Sequence, residues 1–197
     1  VRSIETDSGI DCGLRFCGTV VPFETASERD LFPTASLGIS IDRLGLIGEI
    51  QGISSRWQYG LIFPQDGQID NRRRLMRALE KACVGLGVHF QEGVEVLELL
   101  RYQNNFRGVR IRSAEGTVKT LQAEKAVLCS GAWSGQLLKE LNIFPVKGQM
   151  LSLQSPRDAL SRIIFGKGTY MVPREDGLIV VGATSEREAG FQQGLTP

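Results

Sequence analysis

The sequence has one histidine, His89, and four cysteines, Cys12, Cys17, Cys83 and Cys129, none in a CxxC pair. That excludes most metal and triad chemistry. Zinc sites need compact ligand sets, and a Ser/His/Asp or Cys/His arrangement would have to rely on His89, which opens a short apolar stretch and reads as a structural or surface residue. Cys83 and Cys129 sit in apolar surroundings and read as buried thiols of a reducing, cytosolic-type compartment, and a Cys12–Cys17 disulfide stays open. No apolar run approaches the length of a membrane span, and VRSIETDSG at the start lacks the apolar core of a signal peptide. Net charge is +1, so no polyanionic, nucleic-acid or membrane partner is expected. The one dense basic run, residues 72–74, reads as a solvated helix face. Despite 23 glycines, no strand–GxGxxG–helix segment and no Walker A loop are found. Gly166-Lys167-Gly168 lacks a following helix, and Gly85-Leu86-Gly87 follows a helix instead of preceding one.

The 197 residues, 42% of them hydrophobic, suit one sizeable core with a smaller appendage. Residues 12–23 read as one or two strands with a turn near Gly18. Thr25 with Glu28 forms a capping-box pattern for a helix over about 26–32, ended by Pro33. Within residues 34–57, Ser36–Gly52 mixes apolar residues with glycines and shows no clean period, which leaves a short helix or surface loops open. Tyr59–Phe63 reads as a strand, Gln65–Gln68 as a turn, and Asp70 as the cap of a helix carrying Leu75, Leu79, Ala82 and Leu86 at helical spacing. Strands are expected at 88–90, 94–100, 106–112 and 117–121, with hairpin turns at Asn104-Asn105 and Glu115-Gly116. Residues 125–129 are apolar after Lys125, as in a central strand covered on both faces. A helix over 132–141 follows, then strands at 146–153, 162–165, 169–172 and 178–181, with a tight connection at 174–177 and a polar, loop-like tail from Ser185. Hairpins outnumber βα units, so the class is α+β.

Two segments carry functional weight. In Ser130–Gly135, small residues after a strand allow close backbone approach to a ligand, although a packing turn would look the same. In Thr169–Arg174, Tyr170 and Arg174 are both able to engage a carboxylate, although a sheet tyrosine and a turn arginine fit equally.

The ordered set CSGAWSG, FPVKGQ, YMVPREDG and VVGATSE resembles the D-amino-acid-oxidase-like FAD oxidoreductases, nearest the glycine-oxidase branch linked to thiamine thiazole biosynthesis. The resemblance runs from about Asp7 to Pro197. It implies a large, mainly antiparallel substrate-domain sheet plus partial FAD-domain segments. Residues 1–70 would be the first part of the substrate domain, 71–143 FAD-domain segments with inserted hairpins, and 144–197 the second substrate-domain part, truncated. It implies cofactor contacts at Val96, Ser130, Gly131 and Trp133, and substrate contacts at Tyr170 and Ser185, with a structural role first for Arg174. It also implies oxidation of glycine or a related amino acid to an imine, giving glyoxylate and ammonia on hydrolysis, with hydrogen peroxide as the other product and no side-chain base. The branch that oxidises secondary amines such as sarcosine is the alternative. The family's N-terminal Rossmann βαβ unit and its later carboxylate-clamping arginine would lie outside Val1–Pro197. This chain alone is therefore expected to hold FAD weakly or not at all and to be inactive, with the rest of the same protein as its partner. A noncatalytic scaffold and a ligand-binding module without redox chemistry are the rival classes, and homo-oligomerisation stays open.

Overall fold

The computed structural model describes every residue except Asn104, Arg157, Asp158 and Pro197, and all side chains of the described residues except that of Arg72. The chain mixes helices with a large, mostly antiparallel sheet and a smaller one. It divides into two compact units, Val1–Gly87 with Gly148–Ser185, and Val88–Lys147 with Glu186–Thr196.

The first unit holds a seven-stranded sheet. Its strands are β1 (Thr19–Phe23), β2 (Ile39–Ile41), β3 (Tyr59–Phe63), β7 (Met150–Gln154), β8 (Ile163–Gly166), β9 (Thr169–Pro173) and β10 (Leu178–Gly182), in spatial order β2-β3-β1-β8-β9-β10-β7. β1 pairs antiparallel with β3 and parallel with β8, and the remaining pairs are antiparallel. All five residues of β1 are buried. Alternation sends Val21 and Phe23, with Leu61 and Phe63 of β3, to one face. There they pack with Phe32, Ala35 and Tyr59, and Phe23 meets Phe32 edge-on at 5.5 Å between ring centroids. Val20 and Ile62 turn to the other face and pack on Leu46 of helix α3 (Arg43–Glu49), with Ile41, Ile50, Ile53 and Trp57 around them. Gly60 lets α3 approach, since a Cβ there would lie 2.7 Å from Leu46 Cδ2.

Local signals set several boundaries. Thr25 Oγ1 accepts from Glu28 N at the start of α2 (Ala26–Asp30), and Glu28 Oε2 reaches back to accept from Glu24 N, one residue before the N-cap that the expected box would use. Asp70 Oδ1 accepts from Arg73 N. The helix it caps begins as a π turn, Asn71–Leu75, in which Leu75 N donates to Asp70 O, and continues as α4 (Met76–Gly85). A further helix, α1 (Arg2–Ser8), packs on α4. It has no side-chain cap at its start and closes on Gly9, whose φ of 66° is the left-handed terminator. Two elements, β2 and α3, form inside the aperiodic stretch 34–57. β2 exists through pairing with Ile62, Leu61 and Gly60, and Asp42 caps α3 by accepting from Gly45 N.

The second unit holds a three-stranded antiparallel sheet, β4 (Glu95–Tyr102), β5 (Asn105–Arg112) and β6 (Val118–Gln122). Its second turn forms at 114–115, where Gly116 N donates to Ser113 O. In the first, Tyr102 faces Asn105, and Asn104 itself lies outside the described residues.

Four expectations are corrected. Residues 88–90 and 125–129 form no strand. Among the described residues no strand pairs with either segment, and Val127 is 86% exposed. The helix expected over 132–141 is a 3-10 turn, Gly131–Trp133, followed by α5 (Ser134–Leu137) only. There the chain turns back so closely that a Cβ on Gly135 would lie 3.0 Å from Ile143 O. All four cysteines are free thiols. Cys129 is exposed because its segment is uncovered and Cys83 is half-buried, whereas Cys12 is fully buried and burial pushes its thiol pKa up. The tail is less loose than its composition suggests. Glu186 bridges Lys147, and Phe191 packs on Trp133.

Leu46→Ala removes the side chain that joins α3 to the sheet. It should cost about 3 kcal/mol of unfolding free energy, read from urea midpoints. A loss below about 1 kcal/mol would mean that α3 is not part of the cooperative core.

Candidate functional site

Val96, Ser130 and Trp133 line one open groove of about 1320 Å³ in the second unit. β4 forms its floor. A register shift between Val96 and Glu98 breaks strict alternation, so Val96, Leu97 and Leu99 all reach the groove. Among the described residues β4 is an edge strand that pairs with β5 alone, so its outer backbone groups are not committed to a ladder there. Residues 124–130, which carry no regular secondary structure, line it as well, and α5 contributes Leu137. Gly131 opens the 3-10 turn between Ser130 and Trp133 with φ 52°, a conformation that suits glycine. Ser130 Oγ and Ser134 Oγ lie 3.1 Å apart and exchange a hydrogen bond. Trp133 is 56% exposed and stacks at 5.1 Å on Phe191. The ionisable groups lining the groove are Glu95, Arg101, Glu124 and Lys125, two of each sign. Such a surface offers apolar area and backbone polar groups to a flat ring and has no net field to draw in an anion.

Tyr170 and Ser185 belong to the first unit. Tyr170 is half-buried in β9, opposite Gly182 of β10, which in turn faces Met150 of β7. The tyrosine ring crosses β10 so closely that a Cβ on Gly182 would lie 2.5 Å from its hydroxyl. The hydroxyl donates to Met150 Sδ at 2.9 Å, a weak acceptor that a carboxylate would outcompete. Ser185 is exposed, next to Thr184, whose hydroxyl accepts from Gln149 N at 2.9 Å. Arg174 has the structural position expected of it. Its Nη1 donates to Gln68 Oε1 (3.1 Å) and Ile69 O (2.9 Å), tying the β9–β10 hairpin to the loop before the capped helix. Gln68, buried, also donates to Pro173 O.

Sequence reasoning missed Leu97 and Leu137 in the groove and Met150 beside Tyr170. The bulge hides the first. The second lies in a helix expected to be longer. The third depends on a β7–β10 register that no local pattern reveals. Among the described residues no group of His, Cys, Asp and Glu is arranged to hold a metal, and no helix is long and apolar enough to cross a membrane.

A large mostly antiparallel sheet and a small-residue turn leading into a helix start are features that the ordered motifs lead one to expect of a flavin-dependent oxidoreductase. The chain belongs to the FAD dependent oxidoreductase family (DAO), which it matches over residues 1–197. It is 36% identical to the bifunctional protein ThiO/ThiG of Synechocystis sp., covering 100% of this chain and 29% of that protein. It is 34% identical to the glycine oxidase of Pseudomonas aeruginosa, over 75% of this chain and 40% of the relative. The crystal structure of glycine oxidase from Bacillus cereus superposes with a TM-score of 0.82 at 22% identity, covering 100% of this chain and 56% of that one, a likeness of fold. The chain thus spans well under two thirds of the length of each of these proteins.

Trp133→Ala should release the tail segment that its ring holds. An aromatic pair of this kind contributes about 1 kcal/mol, so amide exchange over 186–196 should speed up about fivefold. Unchanged exchange would show that the Phe191 contact does not order the segment.

Proposed function

We propose that this chain is the interior of an FAD-dependent amino-acid oxidase acting on glycine, with an imine, hydrolysed to glyoxylate and ammonia, and hydrogen peroxide as products, and a place in the synthesis of the thiamine thiazole. Membership of the family and the likeness to ThiO/ThiG and to glycine oxidase support this reading. The observation that carries it is the groove that gathers Val96, Ser130 and Trp133. Its apolar floor, balanced charge and uncommitted strand edge suit the adenine side of FAD, whose flat ring needs area and backbone hydrogen bonds and no counter-charge. The same balanced charge makes it a poor grip for the pyrophosphate. That grip is assigned to a glycine-rich βαβ unit outside residues 1–197, which also leaves this chain alone with little FAD affinity and no activity. Residues 1–70 and 144–197 are read as substrate-domain parts and 71–143 as FAD-domain segments with inserted hairpins, within a soluble, cytoplasmic enzyme.

When bound, FAD supplies the two-electron oxidation of the substrate carbon–nitrogen bond and its reoxidation by oxygen. What the chain contributes is placement. The Tyr170 hydroxyl would leave Met150 Sδ for the substrate carboxylate, a far stronger acceptor, and so fix the α-carbon's orientation. Gly182 keeps that path open by leaving room for the ring. Ser185, at the exposed end of the same segment, would offer a second hydroxyl to the substrate. No side chain is assigned as a proton-abstracting base.

At its natural length the protein should purify yellow or take up FAD, and release peroxide in proportion to added glycine, faster than with sarcosine. Tyr170→Phe should raise KM for glycine about tenfold with kcat changed far less, as expected for one lost hydrogen bond to a charged group. A folded protein of natural length that neither takes up flavin nor makes peroxide would overturn the reading. An unchanged KM would remove Tyr170 from the substrate site.

A further inference from the structure

The start of the capped helix and the β9–β10 turn enclose a second concavity, of about 290 Å³, within the first unit. Five arginines line it: Arg15, Arg73, Arg74, Arg77 and Arg174. Arg77 stands four positions after Arg73 and three after Arg74, so it lies on the side of the helix that both present. The lining carboxylates are Asp70, Glu175 and Asp176, which leaves a formal excess of two positive charges.

The carboxylates are already engaged. Asp70 is held by Arg73 Nε at 2.9 Å and by the Arg73 backbone N–H at 3.1 Å. Asp176 accepts from Leu178 N at 3.2 Å and lies 3.5 Å from Arg73 Nη1. The Leu178 N–H, with the Arg73 guanidinium, holds its carboxyl below the usual carboxylate range. Glu175 is 3.8 Å from Arg15 Nε, and outside the lining Asp11 pairs with Arg74 at 3.2 Å. Two guanidiniums remain without a counter-ion. Arg174 spends Nη1 on neutral oxygens, and Arg77 has no ion pair or hydrogen bond among the described residues. An ion-pair network alone would need no such surplus. Two uncompensated guanidiniums lining a concavity larger than one phosphate are the arrangement that recognises a dianion by charge-assisted, forked hydrogen bonds.

We propose that this pocket binds a phosphate dianion, free or as the terminal group of a small phosphorylated metabolite, with Arg77 and Arg174 as its principal donors. The site is separate from the groove assigned to adenine and does not depend on the oxidase reading. The volume left beside a phosphate favours the monoester, and Arg15 and Arg74 would close over its ester oxygen side.

Calorimetric titration of the protein at natural length tests this with inorganic phosphate and glycerol 3-phosphate as probes, in chloride buffer of matched ionic strength. Saturable 1:1 binding is expected, tighter for the monoester. Equal affinities would instead assign free phosphate as the ligand. Arg77→Gln should weaken binding about tenfold, the usual loss for one charge-assisted contact. Glu175→Gln should strengthen it, because it removes a competing exposed carboxylate. Glu175→Gln also serves as the second variant, since neither side chain is part of the core. Heat that chloride reproduces at the same ionic strength, or phosphate affinity unchanged in both variants, would overturn the proposal.

Discussion

The parallel pairing of β1 with β8 is what makes the first unit one body. The strands on either side of it come from stretches about a hundred residues apart, 19–63 and 150–182, and they meet in two register pairs, Thr19 with Ile163 and Val20 with Ile164. So short a ladder adds little by itself, and the seam is reinforced around it. Ile163 N donates to Gly18 O, Arg162 reaches Cys17 O at 3.2 Å and pairs with Glu49, and Lys167 pairs with Glu28. Val20, at the seam, is fully buried. Hydrophobic coverage of β1 on both faces therefore fixes the edge on which the second hairpin stack is built. Through β8 and β9 it fixes the height at which Tyr170 crosses Gly182. Gln68 and Arg174 close the other end by binding the turn of that stack to the loop before the capped helix.

The two concave sites have opposite physical characters. The groove beside β4 is apolar and charge-balanced, and its polar capacity lies in backbone at an uncommitted strand edge. That suits an aromatic ring and little else. The pocket beside the capped helix is smaller and strongly cationic, and almost all its capacity lies in guanidinium forks. A single ligand would use the two very differently. Assigning the neutral end of a dinucleotide to one and a separate phosphate to the other follows from charge alone.

Where structure rests on local chemistry, the residues announce it. Tyr59–Phe63 is a strand over the full expected span because its short apolar run and the Pro64 that follows are both local. Thr25, Glu28 and Asp70 are caps because short polar side chains at those spacings have an orphan N–H to satisfy. Where structure rests on pairing with distant chain, local reading fails in both directions. Ile39–Ile41 is a strand only because β3 is beside it, while residues 125–129 have the composition of a central strand and, among the described residues, no strand paired with them. Helix α1 is seven residues long and has Gly9 as its only clear signal. At the groove, the small-residue turn at Ser130–Trp133 was legible in sequence, but the bulge after Val96 was not. The arginines of 72–74 read as a solvated face, yet Arg73 and Arg74 are turned into ion pairs by Asp11, Asp70 and Asp176, two of them distant in sequence.

The central claim is that the groove formed by β4, the 124–130 segment and the Ser130–Trp133 turn is the adenine side of a flavin site. The most direct measurement is a crystal structure of the protein at its natural length with FAD bound. The account predicts the adenine ring in that groove, in contact with Val96 and the Ser130–Trp133 turn. FAD bound elsewhere, with Val96 and Trp133 untouched, would contradict it.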